Sequence, residues 1–419
     1  MWLLSTTTLE LHEFTGDMGK MPYYAILSHV WGHDEVSFTD MKKPKHRASA
    51  MRKRGFWKVK GFCARALAYG CQWAWVDSCC IDKRSSAELS EAINSMFEWY
   101  RRSRRCFVYL EDVGSDPAAQ EREFKHSRWF TRAWTLQELL TPVDVVFFDG
   151  NWSPIGQTKR HEMQHMPSGL KDLRRLDLMA DSGAGGDDVQ CDNCYIDAHF
   201  SYADITGLVS GITGVPTNIL TGKESIFQTC VAQRMCWASR RETTRPEDRA
   251  YSLMGLFDVN MPILYGEGLE KAFGRLQHEI LGKSDDQTIF AWYRPGVTTY
   301  SFLAESPDDF RNSATVKMEP YPNRLLFSRT NIGLRVTLHF IGVSDLDSLL
   351  ESESSRAVLW TTVDRGDGVR RQVVVFLHLA ARADGEAGEP IFFCVRPGRW
   401  TFRAEGEAPD KTARVYIEY

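Results

Sequence analysis

The stretch "WAWVDSCCIDKRSSAELSEAINSMFEWYRRSRRCFVYLEDV", residues 73–113, holds one complete strand–helix–strand passage. "WAWVDSCC" (73–80) is an apolar run that turns polar at its end, as a buried strand does on reaching a loop. From Ser86 to Arg102, Leu89, Ile93, Met96, Phe97 and Tyr100 fall on one face at helical spacing. Ser85 and Glu88 form the S-x-x-E pattern of a capping box at the start of that helix. "CFVYLEDV" (106–113) is again strand-like. Working outward, "YAILSHVWG" (24–32) is a strand and "RKRGFWKVKGFCARALAYGC" (52–71) a basic amphipathic helix. On the other side, residues 114–126 read as a long loop, "SRWFTRAWTLQELL" (127–140) as a helix and "VDVVFFDG" (143–150) as a fourth strand. Strands alternating with helices predict an α/β fold, a parallel sheet with helices on both faces.

Beyond residue 150 the pattern changes. Residues 151–225 are irregular, with the Gly- and Asp-rich stretch "DSGAGGDD", and 226–295 are helical in pattern, with "EDRAYSLMGLF" and "GLEKAFGRLQHEIL". From 296, "NRLLFSRTNIGLRVTLHFIGV", "RRQVVVFLHLA", "PIFFCVRPG" and "ARVYIEY" alternate with turn residues, which predicts a β-rich region. The expected organisation is therefore an α/β domain over 1–150, an irregular and helical extension over 151–295 and a β-rich domain over 296–419. A chain of 419 residues is long enough for two or three such cores.

Composition narrows the function. A net charge of −4 gives no basic footprint for nucleic acid. No run of 18 apolar residues predicts a membrane span, and "MWLLSTTTLELHEF" turns polar too soon for a signal peptide. The ten cysteines lie mostly inside apolar runs, as reduced thiols of a cytoplasmic protein do. Cys191 and Cys194 with His199 form the only metal-like spacing, and without a second CxxC pair no metal is expected. Phosphate-loop, dinucleotide-fingerprint, nucleophile-elbow and HExxH motifs are all absent.

In a doubly wound sheet, ligands bind outside the carboxyl ends of the strands. Those ends carry Ser28, His29 and Trp31, then Asp77, then Glu111 and Asp112, then Asp149. Glu138 poses a separate question. In a helix running through residue 140 it falls in the last turn, where the dipole disfavours an anion, with no Lys or Arg four residues away. It shares a stripe with Trp134, one turn earlier. Glu88 is the rival carboxylate, already accounted for by helix capping. Asp77 and Asp82 flank "SCCI" as turn formers or ribose contacts. Cys79 and Cys80 admit a nucleophile reading without an assignable histidine. Arg52, Lys53, Arg54, Lys58 and Lys60 read as a solvated helix face, with contact to phosphates the alternative.

"YAILSHVWG", residues 76–113 and "SRWFTRAWTLQELL" resemble the HET domain of heterokaryon incompatibility proteins of filamentous fungi. "RPEDRAYSLMGLFDVNMPILYGEGLEKAFGRLQHEI" resembles the region that often follows it. The resemblance implies a cytosolic effector of self/non-self recognition that triggers cell death. HET domains are in turn similar to TIR domains, whose plant-type members carry S-x-W-C-x-x-E-L after the third strand. In "AWTLQEL", Trp134 and Glu138 keep the Trp-to-Glu spacing, while Thr135 stands where TIR domains have Cys. That likeness implies a TIR/flavodoxin-like sheet, NAD as substrate rather than cofactor, and Glu138 as the catalytic residue, with Glu88 the second choice. It also implies Ser28, His29, Trp31, Asp77 and Trp134 around the nucleotide, self-association, and a protein partner in recognition.

Overall fold

The computed structural model describes residues 1–15, 21–160, 202–294 and 303–318, and the backbone of strands between Ser328 and Ile417. The chain divides into two compact units, Met1–Ser225 and Ile226–Tyr419.

The first unit is built on a seven-stranded sheet. Its strands are β1 (Trp2–Ser5), β2 (Leu11–Glu13), β3 (Tyr24–His29), β4 (Trp73–Trp75), β5 (Arg105–Tyr109), β6 (Asp144–Phe148) and β7 (Pro154–Lys159), in the order β2-β1-β4-β3-β5-β6-β7. The four central strands are mutually parallel. In chain order they run second, first, third, fourth, which is the flavodoxin-like doubly wound arrangement. The winding reverses between β3 and β5, and that switch point is where such sheets open a crevice. Antiparallel β1 and β2 extend one edge and β7 the other. These edge strands escaped the sequence pattern because they are short or only partly buried.

All six residues of β3 are buried, as expected of a strand covered on both faces. The short helices α1 (Phe38–Lys42) and α2 (Arg47–Ala50) lead into α3 (Arg54–Ala68). That helix covers one face, with Phe62 edge-on to Phe107 of β5 at 5.5 Å between ring centroids. The opposite face is covered by α4 (Ser86–Arg102), whose Trp99 and Tyr100 meet Trp75 of β4 at 5.5 and 5.9 Å. Tyr24 donates to the Trp99 carbonyl at 2.6 Å and Tyr100 to the Leu27 carbonyl at 3.0 Å, tying α4 to β3. Because strand side chains alternate, Tyr24, Ile26 and Ser28 point to the α4 face and Ala25, Leu27 and His29 to the α3 face.

Two expectations between β5 and β6 are corrected. Residues 114–126 are not a loop: α5 spans Pro117–His126, started by Asp116, whose side chain accepts from the Ala118 N–H, and by proline in the first turn. Residues 127–140 are not one helix. A 3-10 turn at Arg128–Thr131 is followed by extended Arg132, and α6 covers only Thr135–Leu140. The physical reason is competition for backbone groups. The Thr135 hydroxyl donates to the Trp129 and Arg132 carbonyls at 2.6 and 2.8 Å, acceptors that a continuous helix would use. Asp112 and Ser127 Oγ only cap the 3-10 turn, through the Arg128 and Trp129 N–H groups at 2.8 and 3.3 Å.

In the second unit, the helical pattern appears as Val231–Ala238, Asp248–Tyr251 and Leu269–Lys283. The β-rich pattern appears as an eight-stranded sheet, antiparallel except where Pro390–Val395 runs parallel to Lys411–Ile417. Cys191, Cys194 and His199 lie outside the described residues, as does "DSGAGGDD". Among the described residues, no helix is long and apolar enough to cross a membrane.

Candidate functional site

Ser28 and His29 end the central strand at the switch point, and the strand's alternation sends them to opposite faces. Each organises its own cluster.

On the α4 face, Ser28 Oγ donates to Glu138 Oε2 and accepts from Trp129 Nε1 at 2.7 Å. Tyr100, whose hydroxyl donates to the Leu27 carbonyl, stands near Glu138; burial first, then the Glu138 charge, pushes that phenol well above its ordinary range. Cys106 of β5 is pushed up by burial first, and by the same carboxylate. The question raised by Glu138 is thereby answered. It stands in the first turn of a six-residue helix rather than at the end of a long one, and is held at the strand end by the Ser28 hydroxyl. It is 7 % exposed. Trp134 heads α6, half-buried, and the indole that reaches Ser28 is Trp129.

On the α3 face, His29 Nε2 lies 3.0 Å from Asp77 Oδ1 and its Nδ1 lies 2.7 Å from Lys58 Nζ. An ammonium has only hydrogens to give, so Nδ1 is the acceptor and Nε2 carries the proton toward Asp77. Lys58 also donates to Glu35 Oε1, which accepts the Gly32 N–H at 2.7 Å. Trp31 Nε1 donates to Asp77 Oδ2 at 2.7 Å. The chain Trp31–Asp77–His29–Lys58–Glu35–Gly32 therefore closes on itself around the turn that follows β3. Burial pushes the Asp77 carboxyl up, but Lys83 and the hydrogen bonds from His29 and Trp31 outweigh it and hold it below the usual carboxylate range.

The predicted site residues thus share one edge but not one cluster: Ser28 joins Glu138, and His29 and Trp31 join Asp77. Glu88 does not face them. Ser85 Oγ accepts its N–H at 3.3 Å, while its carboxylate takes the Asp82 N–H at 2.9 Å; the Ser85 N–H that a reciprocal capping box requires is engaged by the Asp82 carbonyl. Asp149 holds a turn through the Asn151 and Ser153 N–H groups, and Asp112 holds Ser127 and Arg128. Cys79 is fully buried, and its hydrogen bond with Cys80, reinforced by burial, pushes the thiol well up, the opposite of what a nucleophile requires. Sequence reasoning missed Lys58, Glu35, Tyr100 and the Ser28 contact of Trp129. Lys58 had a signal: it lies one helical turn from Phe62 and three residues from buried Gly55, on the apolar side of α3, whereas Lys60 is exposed. Among the described residues, no group of three or more His, Cys, Asp or Glu is placed to hold a metal.

A four-strand parallel core wound in both directions, with polar clusters at its switch point, defines a doubly wound α/β domain. Residues 24–124 match the family described as heterokaryon incompatibility protein (HET), so the chain carries a HET domain over that stretch. It is also 40 % identical over 276 residues to the vegetative incompatibility protein HET-E-1 of Podospora anserina, an alignment covering 64 % of this chain and 17 % of that protein. The chain thus corresponds to about a sixth of the length of this relative. No solved structure matches the chain.

Proposed function

We propose that the chain is an incompatibility protein whose HET domain cleaves the nicotinamide–ribose bond of NAD, with Glu138 as the catalytic carboxylate. The observation that carries this reading is the hydrogen bond from Ser28 to Glu138, which ties a carboxylate to the carboxyl end of the central strand, at the switch point of the sheet. The name of the 40 %-identical relative supports the incompatibility role, and the W-x-x-x-E-L spacing of Trp134 and Glu138 supports the chemistry.

The leaving group is already a cationic pyridinium, so little acid catalysis is required. The bond from ribose C1′ to the ring nitrogen breaks with its electron pair going to nitrogen, neutral nicotinamide departs, and water adds at C1′ with loss of a proton. A carboxylate beside the ribose stabilises the oxocarbenium-like transition state, as in glycoside hydrolysis. Ser28 fixes the orientation of that carboxylate. A nucleotide lying over the end of β3 would meet Ser28, Glu138 and Trp134 on one side and His29, Trp31 and Asp77 on the other. The protein acts in the cytoplasm, is switched on by self-association and a recognition partner, and leads to cell death.

Purified full-length chain incubated with NAD is expected to release free nicotinamide, faster per chain at high protein concentration. Glu138→Gln, folded by circular dichroism, is expected to lose at least about a hundredfold of that rate. No nicotinamide at any concentration, or a Glu138→Gln variant as active as the parent, overturns the reading. The 7 % exposure of Glu138 favours a second one, a non-catalytic signalling module in which Glu138 only ties α6 to β3. On that reading Glu138→Gln changes stability and no nicotinamide forms.

A further inference from the structure

We propose that the open face of Trp31 is a platform for a cationic heteroaromatic ring, and that Lys83 occupies it in the ligand-free chain. This rests on the glycohydrolase reading and deepens it, because it names the charge state of the ring that the site selects.

Three observations carry it. First, Trp31 is 48 % exposed, yet its position is fixed: its indole N–H is committed to Asp77 at 2.7 Å, and Asp77 is anchored in turn by His29, whose other ring nitrogen is held by Lys58. A large aromatic held rigid at the surface presents contact area with little ordering left to lose on binding. Second, the ring face already receives a cation. Lys83 Nζ sits 3.4 Å from the centroid, in the position that the ring quadrupole favours for positive charge. Lys83 belongs to the exposed turn after β4, so a ligand can displace it without disturbing the core. Third, three carboxylates border the platform. Glu35 is paired with Lys58, and Arg54 reaches Glu111 at 3.8 Å. Once Lys83 leaves the ring, the charge left uncompensated beside it is that of Asp77. Asp77 accepts the indole N–H and Glu35 the N–H of the next residue, while the Glu111 carboxylate lies 3.6 Å from where a Cβ on Gly32 would stand. The Asp77 charge beside the platform repels an anionic ring and welcomes a cationic one. The oxidised nicotinamide ring is positively charged and the reduced ring is neutral, so the platform favours oxidised NAD.

The test compares 1-methylnicotinamide, a cation, with nicotinamide, its neutral counterpart, binding to the full-length chain by ligand-observed NMR titration. The cation is expected to bind about fivefold more tightly. Trp31→Leu is expected to erase that preference. Lys83→Met, at an exposed position, is expected to strengthen cation binding several-fold, by removing the competitor and leaving the Asp77 charge to the ligand. Equal affinity for the two probes, a preference that survives Trp31→Leu, or weaker cation binding in Lys83→Met each overturns the platform. The two readings fail separately. If the chain releases nicotinamide from NAD while the preference ignores Trp31, the platform is wrong and the glycohydrolase stands. If the preference follows Trp31 and no nicotinamide is ever released, the platform stands as a binding site and the glycohydrolase falls.

Discussion

Ser28 and His29 are neighbours on one strand, yet their surroundings share almost nothing. Ser28 faces a buried cluster with Trp129, Tyr100 and Cys106 around it, in which Glu138 accepts from the Ser28 hydroxyl. His29 faces a set of full charges, with Lys58 between it and Glu35 and with Asp77 beyond, at the rim of solvent. The contrast teaches that one edge of a sheet can offer two kinds of electrostatics a single residue apart, because pleating alone sends successive side chains to opposite faces. A ligand placed over the strand end meets both.

The sharpest way to break this comparison is to remove charge from the second cluster. Lys58→Met leaves Glu35 without its cation and His29 Nδ1 without a donor, and is expected to lower stability by about 3 kcal/mol in urea unfolding. The matching change in the buried cluster, Trp129→Phe, keeps an aromatic ring but deletes the hydrogen bond to Ser28 together with the pyrrole half of the indole, at an expected cost of about 2 kcal/mol. If the second cost equals the first, the two clusters do not differ as described. A pH series sharpens the contrast further. The folded chain holds the Asp77 proton less tightly than the unfolded chain does, so the stabilisation is present above about pH 4 and drains away as pH falls. Asp77→Asn should flatten that part of the acid limb in thermal unfolding, and an unchanged limb would count against the network. The smallest effect belongs to Glu88→Ala. Loss of its local tie to the Asp82 N–H should cost about 0.5–1 kcal/mol and leave nicotinamide release intact; a large loss of turnover would return Glu88 to candidacy.

Where sequence pattern and structure agree, the deciding interactions are local. The helix Ser86–Arg102 has the bounds its apolar spacing and Ser85 cap predict, since both signals lie within the segment. The parallel alternation of β3 to β6 was likewise legible in apolar runs that end in polar residues. Where they differ, a distant group intervenes. β3 stops at His29 because Asp77 and Glu35 shape "VWG" into a turn. The pairing of Ser28 with Glu138 joins residues 110 positions apart, and no periodicity within either segment announces it. Both residues were legible as candidates, but the division of the edge into two clusters was not.

The strand order also constrains the folding of the chain. β3 is the first of the four parallel strands to be made and sits at the centre of the sheet, so it acquires both neighbours only after β4 and then β5, as far as Tyr109, have been synthesised. Until then, a strand whose six residues are all destined for the interior has bare edges and apolar side chains on show. Pairings across such sequence separations form slowly. Translation pauses or truncations that fall between His29 and Tyr109 therefore leave the nascent chain at its most adhesive, and ribosome-bound fragments ending there should depend most strongly on chaperones to stay soluble.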